Sequence, residues 1–192
     1  FEFSYSSFWF IRHNLWPLPI VYTYMALLTV NSNGIYCERA DVYLDPWRPV
    51  NRALITHGHA DHARWGHKHY LCTHSAKPVI EYRLPQAEVD SVAYGDSVHI
   101  RGVEFSFHPA GHVLGSAQIR VSYKGEKWVF TGDFKTAGDP IAEDFESVAC
   151  HHLIMECTFG LPVFRWPEES ALKAEINAWW VSCQKIGVIP VI

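Results

Sequence analysis

Four side chains that can ligate a metal fall within six residues at His57-Gly58-His59-Ala60-Asp61-His62, and this run constrains the fold more than any other feature of the chain. Three imidazoles and a carboxylate are the nitrogen and oxygen donors of catalytic Zn²⁺ sites, where thiolates are few and one position is left to water. The run follows Arg52-Ala53-Leu54-Ile55-Thr56, a short, mostly apolar stretch that reads as a buried strand. The fold must therefore bring the end of a strand to an open loop of ligands. In an extended segment His57 and His59 project to one side and can share an ion, while Asp61 and His62 lie past the turn, within reach of a second. Two ions working as a pair would stand about 3.5–4 Å apart. Gly58 and Ala60 are small, which lets the backbone pass close to the metals. A histidine-rich surface loop is the competing reading, and the density of ligand types at a strand's end weighs against it.

Hydrophobic residues at 48% and charged residues at 19% are globular values, and 192 residues hold one large domain or a domain plus a fragment. A net charge of −4 gives no general attraction to nucleic acid, so a polyanionic substrate would have to be held by local positive charge and by the metals. The five cysteines, Cys37, Cys72, Cys150, Cys157 and Cys183, are odd in number and form no Cys-x-x-Cys pair. They are expected to be free thiols in a reducing, cytoplasmic setting, with Cys157 a weak candidate for supporting the site.

Residues 1–24 are dense in aromatics without a clean period and do not match the rest of the chain, so they are expected to be an upstream extension outside the fold, with Met25 the natural start. A signal peptide or membrane anchor is the rival for the uncharged stretch Leu15 to Val30; Pro17, Pro19, a span short of the ~20 residues that a membrane helix needs and the lack of an Ala-x-Ala-like cleavage site argue against it. From Ala26 onward short strands alternate with turns. Leu27–Val30 and Ile35–Cys37 form a hairpin signal around Asn33-Gly34, expected to supply positive φ, and Asp41–Asp45 is a third strand. Tyr70–Thr73 precedes a helix from Ser75, its expected cap, to Leu84. Val103–Phe107 and Ala117–Tyr123 alternate with period two, and Trp128–Phe130 follows the turn at Lys124-Gly125. A β-rich α/β sandwich with helices outside two sheets is expected. Pro167 to Lys185 reads as a helix and Val188–Ile192 as a strand cut off as it begins, so the chain reads as a fragment.

Two more segments complete the ligand set. Pro109-Ala110-Gly111-His112-Val113-Leu114-Gly115-Ser116 puts His112 in a glycine-flanked loop, and Phe130-Thr131-Gly132-Asp133 puts Asp133 after a buried strand, where a carboxylate can bridge two ions. Alone, each is more often a turn residue; beside the histidine run, each reads as a ligand. His67, His69, His74, His99, His151 and His152 are expected to be ordinary imidazoles, and His108 to support its loop.

The series Asp45, His57-x-His59-x-Asp61-His62, His112 and Asp133 resembles the metallo-β-lactamase superfamily, from about Leu27 to the end. Glu156 in Leu153-Ile154-Met155-Glu156-Cys157-Thr158-Phe159-Gly160 resembles the acidic motif of its nucleic-acid-processing β-CASP branch. Tyr43–Val50, Ala110–Ala117 and Thr158–Pro162 with Arg165-Trp166 look like the bacterial DNA-ligase-associated exonucleases, also labelled mRNA 3′-end processing factors. The resemblance implies an αββα sandwich over residues 25–160, here incomplete, and the start of a β-CASP cap over 161–192. It also implies a first ion on His57, His59 and His112, a second on Asp61, His62 and a bridging Asp133, and Asp45 and Glu156 orienting those ligands. One further ligand histidine of the family lies beyond this sequence.

The reading is a metal-dependent phosphodiesterase. Two Zn²⁺ ions, with Mn²⁺ as a substitute, would lower the pKa of water to roughly 7, and Asp61 or Asp133 would relay the proton. Lys135 is a candidate phosphate contact. Exonuclease action on DNA, ahead of RNA, and a link to a DNA ligase and repair rest on the resemblance alone. Alternatives are an RNA-processing nuclease of the same branch, a thioesterase or lactonase, disfavoured by Glu156 and Leu161-Pro162, and an inactive truncated product.

Overall fold

The computed structural model describes residues 26–191. The expected upstream extension at 1–24, its boundary at Met25 and the final Ile192 lie outside the described residues.

The first sheet takes its strands in chain order: β1 (Thr29–Asn31), β2 (Gly34–Cys37), β3 (Val42–Leu44), β4 (Arg52–Leu54), β5 (His69–Thr73) and, after helix α1 (Lys77–Arg83), β6 (Glu88–Val92). The β1–β2 hairpin closes with Asn31 opposite Gly34. Of the expected pair, only Gly34 takes a positive φ, at 138°. Asn33 does not need one, because its N–H is held by Asn31 Oδ1 at 2.8 Å. From β3 onward the strands are parallel, and α1 provides the crossover from β5 to β6.

The second sheet is an antiparallel meander, β7 (Ser97–Ile100), β8 (Val103–Pro109), β9 (Ala117–Tyr123) and β10 (Glu126–Phe130), completed by β11 (His152–Ile154) parallel to β10. Two-residue turns at Arg101-Gly102 and Lys124-Gly125 have φ of 49° and 80°, and 48° and 86°. Positive φ at both positions matches the right-handed twist of the strands they join.

Strands β6 and β7 were not legible in the pattern of the sequence. Each is the edge strand of its sheet, held by backbone pairing to one neighbour, and Glu88, Asp90, Ser97 and His99 stay exposed. Polar edges blunt further pairing, and they leave only two apolar side chains in each strand, a pattern too short to stand out along the chain.

The main core lies between the sheets, where Val42, Leu44 and Leu54 meet Phe105, Phe107, Ile119, Val121 and Phe130. Alternation sends Ala53, Ile55, Tyr70 and Cys72 to the opposite face of the first sheet, under Ile80 and Leu84. Being buried on both faces is why the stretch before the histidine run is apolar without a period. Removing the ring of fully buried Phe107 is expected to cost about 3–5 kcal/mol. On the second sheet, the residues that alternate with this core differ in kind: Glu104, Arg120, Ser122 and Lys127 line a polar concavity of about 400 Å³.

Helix α1 begins at Ala76 with no side-chain cap, and the expected cap Ser75 instead donates to Glu143 Oε1 at 3.1 Å. The free Ala76 N–H is taken by Thr73 Oγ1 at 3.1 Å.

One compact unit ends at Cys157 and a second begins at Thr158. The second contains Phe159, whose ring stands edge-on to Phe164 and Trp166, and helix α2 (Glu169–Lys185). Of its apolar residues only Cys183 is buried; Leu172, Trp179 and Trp180 remain more than 40% exposed. Residues 188–191 form no strand, contrary to expectation. A strand exists only where a neighbour pairs with it, and none does so among the described residues.

Candidate metal centre

The site starts from a backbone conformation that few residues tolerate. Asp45 ends β3 at φ 40°, a left-handed geometry for which Asp is better suited than most residues. Its N–H is held by Leu54 O at 2.9 Å, and its carboxylate is turned toward β4. Oδ1 accepts the Thr56 N–H at 2.8 Å, and Oδ2 accepts the Thr56 hydroxyl at 2.6 Å. The same Oδ2 lies 2.7 Å from His62 Nδ1.

The histidine run is held from the outside by α1. Arg83, the helix's last residue, donates to Gly58 O at 2.6 Å. A Cβ on Gly58 would stand 2.7 Å from Val79 Cγ1, so the missing side chain makes room for the helix rather than for metals. His59 O accepts the Ala63 N–H at 2.8 Å, which turns the loop back on itself.

His112 reaches the same place from the second sheet. Gly111 has φ 71°, and a Cβ there would meet Lys135 O at 2.2 Å, so only glycine fits. Ser116 Oγ accepts the N–H groups of His112 and Val113, at 3.0 and 3.2 Å, fixing the loop. The two sheets are tied together at this point by Ala117 N–H donating to Thr56 O at 2.8 Å. Asp133 follows β10 through Gly132, which has φ 56° and lies against the Thr56 side chain.

These three loops bring donor atoms of His57, His59, His112 and Asp133 within 4.8 Å of one another. His57 Nε2 is 3.0 Å from His59 Nδ1, and His112 Nε2 is 3.3 Å from that same atom. Asp133 Oδ2 lies 3.8 Å from His57 Nε2 and 3.7 Å from His112 Nε2, while its Oδ1 lies 3.3 Å from His62 Nε2. One oxygen of the carboxylate thus faces His57 and His112, and the other faces His62.

Electrostatics divide the imidazoles. Burial, then the neighbouring His62, pushes His57 down to about 3, so its ring is neutral, as a ligand must be. Burial also lowers His112. For His62, burial works downward, but the carboxylates of Asp45 and Asp133 outweigh it and raise the ring to about 10. For Asp133, burial works upward, and the hydrogen bond and charge of His62, followed by His57 and His112, bring it down to about 2. Convergent imidazole nitrogens around an ionised carboxylate need protons to relieve their lone pairs, or a cation that would take that place.

Residues 37–179 match the family described as the metallo-beta-lactamase superfamily. The chain belongs to that superfamily. Its members are generally hydrolases that bind metals, typically zinc. Among curated relatives, a probable DNA ligase of Opitutus terrae is 30% identical over 76% of this chain and 14% of its own length. An RNase J-like protein of Methanocaldococcus jannaschii is 23% identical over 67% of this chain and 36% of its own. Endoribonuclease YSH1 of Saccharomyces cerevisiae is 33% identical over 38% of this chain and 10% of its own. The chain therefore spans about a third or less of the length of these relatives.

Other residues of the chain stand apart from the four-donor cluster. Asp61 has a 70% exposed side chain and lies 3.7 Å from His62 Nε2, on the open side. Glu156 acts on His112 through its charge. The Lys135 ammonium is paired with Asp139 at 3.3 Å. Cys157 is exposed. His69 pairs with Glu88, His74 with Ser91, and His152 stacks on Trp128. His108 forms a Ser–His–carboxylate chain, 3.0 Å from Ser106 Oγ and 3.0 Å from Glu146 Oε1. Ser106 is completely buried, so no substrate carbonyl can reach it, and the chain pins Glu146 to β8. Sequence reasoning missed the roles of Thr56, Ser116 and Arg83. Position offered a signal for the first two, since each directly adjoins a segment that carries a ligand. No helix among the described residues is long and apolar enough to cross a membrane.

Proposed function

We propose that this protein is a metal-dependent phosphodiesterase of the β-CASP branch that degrades nucleic acid, DNA exonuclease action being the first expectation. The observation that carries the reading is the convergence of His57, His59, His112 and Asp133 from three loops. The names of the relatives, a DNA ligase and two RNA nucleases, support nucleic acid as the substrate class. On this reading His57, His59 and His112 would hold a first ion, Asp61 and His62 would hold a second, and Asp133 would serve both. The nitrogen-rich donor set favours Zn²⁺ over Mn²⁺. When bound, Zn²⁺ supplies Lewis acidity, which makes water a competent nucleophile near neutral pH and draws charge from a phosphoryl oxygen.

The chain's own groups do the rest. Asp45 and Thr56 orient His62 and His57, and Glu156 favours the imidazole of His112 electrostatically. Asp61, exposed at the rim, receives the proton of the attacking water on Oδ2 and passes it to solvent. Lys135 contacts a substrate phosphate by exchanging Asp139 for it. Residues from Leu161 open the β-CASP cap, and the five free cysteines fit a reducing, cytoplasmic setting. An RNA-processing nuclease is the second reading, favoured by the endoribonuclease and RNase J-like relatives.

The test is incubation of the purified protein with end-labelled single- and double-stranded DNA and RNA, with Zn²⁺, with Mn²⁺ and with EDTA. Release of nucleotides from DNA that EDTA abolishes is the expected result. Preference for RNA would select the second reading, and no cleavage of any polymer by the zinc-loaded protein would overturn both.

A further inference from the structure

We infer that Thr56 is a positioning residue: its hydroxyl links Asp45 to His57 and so determines which nitrogen of His57 is free to take a ligand. The hydrogen-bond order stands on the geometry alone, while its consequence for ion affinity rests on the reading of His57 as a metal ligand.

Thr56 Oγ1 carries one proton and lies between two partners, Asp45 Oδ2 at 2.6 Å and His57 Nδ1 at 3.0 Å. A carboxylate can only accept, so the hydroxyl proton goes to Asp45. The oxygen is then left as an acceptor toward His57, whose Nδ1 must carry the hydrogen. A neutral imidazole has one N–H, which leaves the lone pair on Nε2, the nitrogen facing His59 Nδ1 at 3.0 Å. His57 has no exposed surface, so water cannot replace the threonine as acceptor.

The same Asp45 oxygen accepts from His62 Nδ1 at 2.7 Å, which directs His62 Nε2 toward Asp133 Oδ1 at 3.3 Å. One carboxylate oxygen therefore orders two rings, His62 directly and His57 through Thr56. The methyl group matters too. Gly132 packs so closely that a Cβ there would stand 2.7 Å from Thr56 Cγ2, and a β-branched side chain confined in this way keeps one rotamer.

The test reads histidine tautomers in the metal-free, full-length chain by long-range ¹H–¹⁵N correlation, together with zinc affinity by chelator competition for Thr56→Val and Thr56→Ser. His57 is expected to carry its proton on Nδ1 in the native protein and in Thr56→Ser. In Thr56→Val, which keeps the shape and removes the acceptor, the proton is expected to move to Nε2 and zinc to bind about 10–100-fold more weakly, the usual loss for a group that orients a ligand. A native protein with the proton on Nε2 would overturn the inference, as would Thr56→Val with unchanged tautomer and affinity. The native spectrum needs no variant, so it decides the hydrogen-bond order even where Thr56→Val does not fold. The expected tautomers without any zinc binding would leave the hydrogen-bond order standing and remove the metal reading instead.

Discussion

Asp45 and His62, 17 residues apart, are joined by a contact of 2.7 Å between Oδ2 and Nδ1, closer than any two of the proposed ligands are to each other. A residue that would touch no ion thus holds a proposed ligand more closely than those ligands approach one another. Asp45→Asn replaces one oxygen acceptor by an amide donor and disturbs His62 and Thr56 together. Zinc affinity is expected to fall by about 10–100-fold, measured by chelator competition. Loss of a single site with the other unaffected would show that Asp45 serves only one ring.

His59 and Asp61 belong to the same short run but should behave differently. His59→Ala removes a member of the four-donor cluster and is expected to lower bound zinc, measured by plasma emission, and to abolish nucleotide release. Asp61→Ala removes an exposed carboxylate outside that cluster, so about one ion per chain should remain while activity falls. In the native protein, zinc at about 100 times its Kd should add about 2.7 kcal/mol of stability that EDTA removes, seen as a fall in Tm.

Gly132→Ala should be disruptive well beyond the addition of one methyl group. The residue sits at φ 56°, and the new Cβ would stand 2.6 Å from Thr56 Cβ and Oγ1. A loss of about 1–3 kcal/mol is expected in urea unfolding, with zinc affinity reduced because Thr56 is displaced. An unchanged affinity would mean that Thr56 can move without disturbing His57.

Burial pushes the Cys72 thiol up to about 12 and raises Cys37 as well. A folded pKa above the unfolded one means that the unfolded chain releases its proton first, so this contribution to stability is complete below about pH 9 and is lost as pH rises toward 12. Native protein at pH 8 should therefore show a fast thiol reaction at exposed Cys157, with Cys37 and Cys72 reacting only on unfolding. Fast modification of Cys72 in the folded state would contradict its burial.

Much of the architecture could be read directly because local patterns survive in it. The alternation of Ala117–Tyr123 becomes β9 over the same residues, and Lys124-Gly125 turns as its composition requires. Legibility failed where a partner elsewhere in the fold decides. Ser75 looks like a helix cap but is drawn to Glu143, 68 residues away. β6 and β7 carry only two apolar side chains each, and they are strands because a neighbour offers backbone partners.

The candidate centre divides in the same way. The sequence by itself determined the candidate donor types, their order along the chain and the superfamily, because imidazole and carboxylate groups placed just after strands are a local property. Only the tertiary structure decided that His57, His59, His112 and Asp133 share one space, that Gly58 yields to Val79, and that Thr56 stands between Asp45 and His57. Those facts depend on two sheets packing with their loops at one edge, where hydrogen bonds of 2.6–3.0 Å select a single arrangement that no spacing along the chain can encode.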